Sequence, residues 1–220
     1  MDTMALWSIV PVKMLDEAKS SLARALDPET RRSLVLAMLQ DVISALLSSP
    51  SLSGCTVVSS DPRVTGFAEK IGARGLLDGG AELNRAIGLA IEDARTGGAS
   101  SVIILPGDVP LVKPADLENM AGMATGEREV VISPSKANGT NALLIRPPHL
   151  IGLRFGGESF PLHLQEAAAA GVTPRIYRSH RLANDLDDPE DIELMLREGR
   201  GTRTYEVLTR ARIGTYLSSR

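Results

Sequence analysis

The stretch Val102-Ile103-Ile104-Leu105-Pro106-Gly107-Asp108-Val109-Pro110 decides the fold class. Its first four residues are apolar without alternation, the mark of a strand buried on both faces. Strands of that kind belong to parallel sheets covered by helices on both sides. Pro106 and Gly107 then shape a turn, and Asp108 places a carboxylate where the strand ends. In open α/β sheets, ligands bind in the crevice beyond those ends. Mg²⁺ takes one or two carboxylates along with phosphate oxygens and water, and Asp108 suits that role. Position alone also allows Asp108 to cap the turn or the following helix.

On either side of this strand the chain alternates between extended and helical patterns. Leu6–Val12 reads as a first strand. Asp27-Pro28 opens a helix running to about Leu47, with Val35, Met38, Leu39, Val42 and Leu46 on one face. Cys55–Ser59 is extended and closes at the Asp61-Pro62 turn; Val64–Ile71 is helical and Ala73–Leu77 extended. Ala81–Arg95 is a helix stopped by Gly97-Gly98. Beyond the central turn come a helix at Asp116–Met123 and strands at Val130–Ser133 and Ala142–Ile145. They are followed by a helix at Ser159–Ala170, a strand at Pro174–Tyr177 and a helix at Pro189–Arg197. This alternation predicts an α/β domain with a mainly parallel sheet and helices on both faces. The domain is expected over residues 1–205, with a basic tail at 206–220.

The bulk numbers exclude several classes. At 220 residues the chain is one domain with at most an appendage. Aromatic residues are only 3%, so Leu, Ile, Val, Ala and Met must build the core. A net charge of −3 gives no support for nucleic acid or an anionic membrane as partner. Cys55 is the single cysteine, which rules out an intrachain disulfide and a Cys-rich metal site. With no leader-like segment and no apolar run of about 20 residues, the protein is expected in the cytoplasm.

The other chemically suggestive segments also follow strands or precede helices. Pro11-Val12-Lys13 and Ala18-Lys19-Ser20 put two lysines on the loop after the first strand, able to converge on a polyphosphate. Spacing alone leaves a solvated loop equally open, and no P-loop pattern occurs. Asp185, Asp187 and Asp188 precede Pro189; Asp188 is an ordinary helix start, whereas Asp185 and Asp187 are free to complete a metal shell. Asn138-Gly139-Thr140-Asn141 and Phe155-Gly156-Gly157-Glu158-Ser159 are small-residue turns where backbone N–H groups can approach an anion. His149, His163 and His180 have neither metal spacing nor a nucleophile partner. No catalysis is assigned to them, and His163 is expected to be structural or interfacial.

PVK…AKS, LPGDVP, NGTNALL, FGGESF and DLDDPEDI, in this order and spacing, resemble the 2-phospho-L-lactate guanylyltransferase family. That family is a branch of the GT-A-like nucleotidyltransferases related to molybdenum cofactor guanylyltransferase. The resemblance covers about residues 6–205 and implies a three-layer α/β/α nucleotide-diphospho-sugar transferase-like fold. It implies GMP transfer from GTP to (2S)-2-phospholactate, giving lactyl-2-diphosphoguanosine and pyrophosphate in coenzyme F(420) biosynthesis. Some relatives use phosphoenolpyruvate or 3-phosphoglycerate instead.

By the same resemblance, Pro11, Val12, Lys13, Lys19, Pro106, Gly107 and Asp108 belong to the nucleotide site, and Leu83-Asn84 lies near the base. Asp108, Asp187 and Asp185 hold Mg²⁺, while Thr140, Asn141, Gly156 and Ser159 serve the acceptor. A homodimer is the expected assembly. Two departures stand out: Ser21 replaces a basic residue whose part Arg24 is expected to take, and Asn141 stands where some relatives carry small or hydroxyl residues. Two rival classes remain at this point. A GT-A glycosyltransferase would show D-x-D after its central strand, where this chain has Asp108-Val109-Pro110. A non-catalytic module would bind GTP and release no pyrophosphate.

Overall fold

The computed structural model describes residues 5–211. Seven strands form one sheet: β1 Leu6–Pro11, β2 Leu52–Ser59, β3 Arg74–Leu77, β4 Ser101–Ile104, β5 Glu129–Pro134, β6 Thr140–Arg146 and β7 Arg175–Ile176. Their order is β3-β2-β1-β4-β6-β5-β7. β6 alone runs antiparallel to its neighbours, so the sheet is mainly parallel, as the sequence pattern predicts. The apolar run that decides the fold class is β4, and every residue in it is fully buried.

Helices cover both faces: α1 Pro28–Leu47, α2 Pro62–Lys70, α3 Leu83–Thr96, α4 Pro114–Met123, α5 Ser159–Ala169, α6 His180–Ala183, α7 Pro189–Glu198 and α8 Arg203–Arg210. Two apolar clusters result. One packs α1, α2, α4 and α7 on Val10, Val57, Ile103 and Leu144; the other packs α3 and α5 on Ile9, Val58, Ile104 and Leu143. Alternate residues of the same strands feed opposite clusters, as the two-residue strand period requires. The architecture is a three-layer α/β/α sandwich.

Sequence periodicity does not reveal three short elements: the 3-10 turn Ser20–Arg24, α6 and α8. α8 crosses the boundary drawn at residue 205, so the domain continues through Arg210; residues 212–220 lie outside the described ones. Two caps start this helix: the Thr202 hydroxyl accepts from Tyr205 N–H at 3.1 Å, and α1 supplies the other. Asp41 of α1 accepts from the N–H groups of Arg203 and Thr204 at 2.8 and 2.9 Å and from the Thr204 hydroxyl at 2.6 Å. Leu208 is then fully buried in the first cluster.

The chain leaves β1 for β2 and β3 on one side, then returns to β4 on the other. Connections at the carboxyl ends of β1 and β4 therefore diverge and open a crevice, the switch point where α/β sheets place ligands. Lys13 and Lys19 follow β1, and Asp108 follows β4.

Beside this core the Trp7 indole donates to Thr56 Oγ1 at 2.9 Å and lies directly over Gly54. A Cβ on Gly54 would fall inside the ring. Gly54→Ala should cost about 1–3 kcal/mol of stability through overpacking. Urea unfolding followed by the fluorescence of this single tryptophan measures it, and an unchanged midpoint would contradict the packing.

Candidate active site

Lys19 stands on the loop that follows β1, beside the switch point of the sheet. Its backbone is left-handed, φ 55° and ψ 41°, a conformation that costs a non-glycine residue energy and clusters at functional sites. Burial of the preceding loop holds it there. Leu15 N–H donates to buried Asp61 at 3.2 Å, and Leu15 and Ala18 enter the first apolar cluster. The Lys19 side chain, only 7% exposed, extends its ammonium to Asp108 Oδ2 at 2.7 Å and Asp187 Oδ1 at 2.6 Å. Residues 89 and 168 positions away thus meet on one nitrogen.

The acidic segment is held in place by backbone bonds. Leu186 N–H donates to Asp108 O at 2.9 Å, and the Ser21 hydroxyl donates to Asp187 O at 2.5 Å. Asp191 opens α7 by accepting from the N–H groups of Asp187 and Asp188 at 2.9 and 2.8 Å, and it pairs with Lys136. Ser21, the departure from the family pattern, therefore fastens the acidic loop. The Arg24 side chain lies outside the described residues.

Electrostatics follow from this crowding. Burial works against the Lys19 ammonium, but Asp108 and Asp187 outweigh it and raise its pKa. Burial likewise favours protonation of Asp187, and Lys19 reverses the sign, with Lys13 adding to the effect. Asp185 has no such partner. Burial pushes it up to about 6, and the charges of Asp108 and Asp187 push the same way. The cluster holds more negative charge than its ammonium compensates, which is an environment that draws in a cation.

Of the three carboxylates expected to hold Mg²⁺, Asp108 and Asp187 meet on Lys19, and Asp185 lies within charge range of both. Among the described residues, no three of His, Cys, Asp and Glu stand as a metal-holding group. Asp108 and Asp187 converge, whereas Asp185 accepts from Asn141 Nδ2 at 3.1 Å.

Thr140 and Asn141 are adjacent in β6 and point to opposite faces of the sheet, so they serve opposite layers. Asn141 donates to Leu182 O at 2.8 Å and to Asp185 Oδ1 at 3.1 Å, and so orients the acidic segment. Thr140 bonds His163 Nδ1 at 2.9 Å and is buried. Ser159, 2% exposed, begins α5 beneath the glycine turn.

Gly156 and Gly157, with φ 116° and 46°, leave open space where their Cβ atoms would be. The two small-residue turns adjoin, since Phe160 N–H donates to Asn138 O at 3.1 Å. Gly107 allows close packing, because its Cβ would sit 3.0 Å from Val12. Leu83 packs into the second cluster, and Asn84 spends its amide on Phe155 rather than on open space.

No histidine is placed for proton transfer. His149 and His180 are exposed and pair with Glu92 and Glu198. His163 is fully buried, and burial lowers its pKa to about 4. Its Nε2 accepts from Arg154 N–H at 3.1 Å, so Nδ1 carries the proton and donates to Thr140. Because the folded value lies below the unfolded one, the stability from this neutral ring is present above about pH 6.5 and fades as pH falls towards 4. Wild type should lose about 2 kcal/mol between pH 8 and pH 5 from this group. Urea titrations of wild type and His163→Asn at both pH values check the assignment; equal pH dependence would refute it.

Comparison with known proteins now decides the class. The family model described as "Guanylyl transferase CofC like" matches residues 6–219. The chain belongs to this family. As a CofC-like guanylyl transferase it is a nucleotidyltransferase enzyme, which sets aside the glycosyltransferase and binding-module readings.

Phosphoenolpyruvate guanylyltransferase of Rubrobacter xylanophilus is 43% identical over 190 residues, covering 86% of this chain and 92% of that one. 2-Phospho-L-lactate guanylyltransferase of Methanothermobacter thermautotrophicus is 35% identical over 206 residues, covering 93% and 90%. Among solved structures, a nucleotidyl transferase from Methanothermobacter superposes with a TM-score of 0.67 at 18% identity, over 89% of this chain and 97% of that one. A Desulfovibrio desulfuricans G20 protein described as a nucleotide-diphospho-sugar transferase reaches 0.80 at 17% identity, covering 98% and 99%. These likenesses bear out the nucleotide-diphospho-sugar transferase-like fold.

Proposed function

We propose that this CofC-like guanylyl transferase moves GMP from GTP to (2S)-2-phospholactate in coenzyme F(420) biosynthesis, releasing pyrophosphate. Phosphoenolpyruvate is the second reading, favoured by the 43% identity to a relative named for it. Both acceptors carry a carboxylate and a phosphate on the same carbon. The observation that carries the proposal is the meeting of Lys19, Asp108 and Asp187 at the switch point of the sheet.

The acceptor's phosphate monoester has a second pKa of about 6 and is already nucleophilic at neutral pH. One of its oxygens attacks the α-phosphorus of GTP, the bond to the β-phosphate oxygen breaks, and pyrophosphate departs. No general base is required, in keeping with three histidines engaged elsewhere. The task of the protein is to align two polyanions that repel each other.

Lys13 and Lys19 offset charge on the triphosphate, and the glycine turn at Gly156-Gly157 faces the acceptor. Asp108 and Asp187, two hard oxygen donors in an under-compensated cluster, suit Mg²⁺, which needs no more than one or two carboxylates beside phosphate oxygens. Bound there, the ion supplies charge stabilisation at the α-phosphate. The same reading has the enzyme act as a cytoplasmic homodimer; no helix among the described residues is long and apolar enough to cross a membrane.

Pyrophosphate release tests the reaction, with GTP paired in turn with phospholactate, phosphoenolpyruvate and 3-phosphoglycerate, and with CTP as control. Release with GTP and one of the first two acceptors is expected. No release from any pair, or release with CTP alone, would overturn it.

A further inference from the structure

The turn Arg154-Phe155-Gly156-Gly157 is gripped by its backbone from two sides. Asn84, in the first turn of α3, donates from Nδ2 to Phe155 O at 3.0 Å and accepts at Oδ1 from Phe155 N–H at 2.8 Å. Its carboxamide thus matches both polar groups of one residue 71 positions away. His163 of α5 takes the N–H of the preceding residue, Arg154, at 3.1 Å, and its ring is held by Thr140 of β6. The Phe155 ring meets the His163 imidazole edge-on, with centroids 4.8 Å apart at 66°. The next two residues are glycines with positive φ and free space beside them. Two consecutive backbone positions are therefore fixed by α3, α5 and β6, while the tip they carry stays exposed.

Asn84 gives Phe155 one donor and one acceptor in a matched pair, so its influence on the site travels through the turn. We infer that Asn84 and His163 are positioning residues for the acceptor: they set the Gly156-Gly157 backbone against the acceptor's anionic groups and do not select the nucleotide. This inference rests on the acceptor reading proposed above. A preset turn spares the acceptor the entropy of ordering it, so loosening the grip raises the acceptor's KM rather than slowing the bond-making step.

The test is a two-substrate kinetic analysis of pyrophosphate release with GTP and phosphoenolpyruvate or phospholactate, for wild type, Asn84→Ala and Asn84→Asp. Asn84→Ala loses both bonds and should raise the acceptor KM about tenfold, with the GTP KM within about twofold of wild type. Asn84→Asp keeps the bond from Phe155 N–H and sets an oxygen against Phe155 O, so its acceptor KM should also rise. His163→Asn, assayed at pH 8, should shift the acceptor KM in the same direction. Thermal unfolding of each variant separates this pattern from general unfolding, which would lower kcat for both substrates together. A rise confined to the GTP KM, or an acceptor KM within about twofold of wild type in folded Asn84→Ala, would overturn the inference while leaving the functional reading intact. A wild-type enzyme without turnover on any acceptor would overturn both.

Discussion

Asp108→Asn is expected to reduce turnover by about 10³-fold or more while the protein stays folded. Asn keeps the shape of the side chain and one acceptor oxygen, and the Asp108 carbonyl still receives Leu186 N–H, so the acidic loop keeps its anchor. What disappears is the charge. Asp108 lies at the carboxyl end of β4, beside the switch point, and with Asp187 it forms the only converging carboxylate pair on Lys19. A neutral amide there leaves Lys19 with a single carboxylate and, on the proposed reading, would weaken the hold on Mg²⁺. Side-chain burial at Asp108 is incomplete, 30% exposed, so loss of the ion pair costs little stability. Single-turnover pyrophosphate release beside a thermal melt gives the answer. Near-wild-type turnover would remove Asp108 from the chemistry, and a collapsed melting temperature would make it structural.

Lys19→Ala carries the second large effect, a drop of about 10²-fold in kcat/KM for GTP with a smaller loss for the acceptor. Without the ammonium, Asp108 and Asp187 face each other uncompensated, and the triphosphate loses its nearest buried cation. Lys19→Arg should rescue little. A planar guanidinium cannot place one compact charge between two carboxylates from a left-handed backbone. Initial rates with each substrate varied in turn decide the matter; equal losses for GTP and acceptor would assign Lys19 a merely structural part.

The parts of the fold and site legible in the sequence are those whose cause is local. β4 announces itself because complete burial leaves an unbroken apolar run, and Asp108 because Pro106-Gly107 turns the chain at its end. Asp188-Pro189 marks the start of α7 through ordinary capping chemistry. The rest depends on partners far apart in the chain. α8 has a local cap in Thr202, but its second cap, Asp41, lies over 160 residues earlier in the chain. Asn84 gives no sign in the sequence of its two bonds to Phe155, 71 residues away. Asn141 likewise gives no sign of its bonds to Leu182 and Asp185, 41 and 44 residues further on. Lys136 carries no signal at all, since its pairing with Asp191 appears only once the β5–β6 turn is placed beside the start of α7.

The alternation along β6 also governs where this chain can change its length. Thr140 reaches His163 on one face and Asn141 reaches the acidic loop on the other, so a one-residue slip of β6 against β5 would exchange their directions and detach the glycine turn and the acidic loop together. Engineers wanting a tag or sensor within the chain have a better site at Gly97-Gly98, an exposed helix end that touches neither.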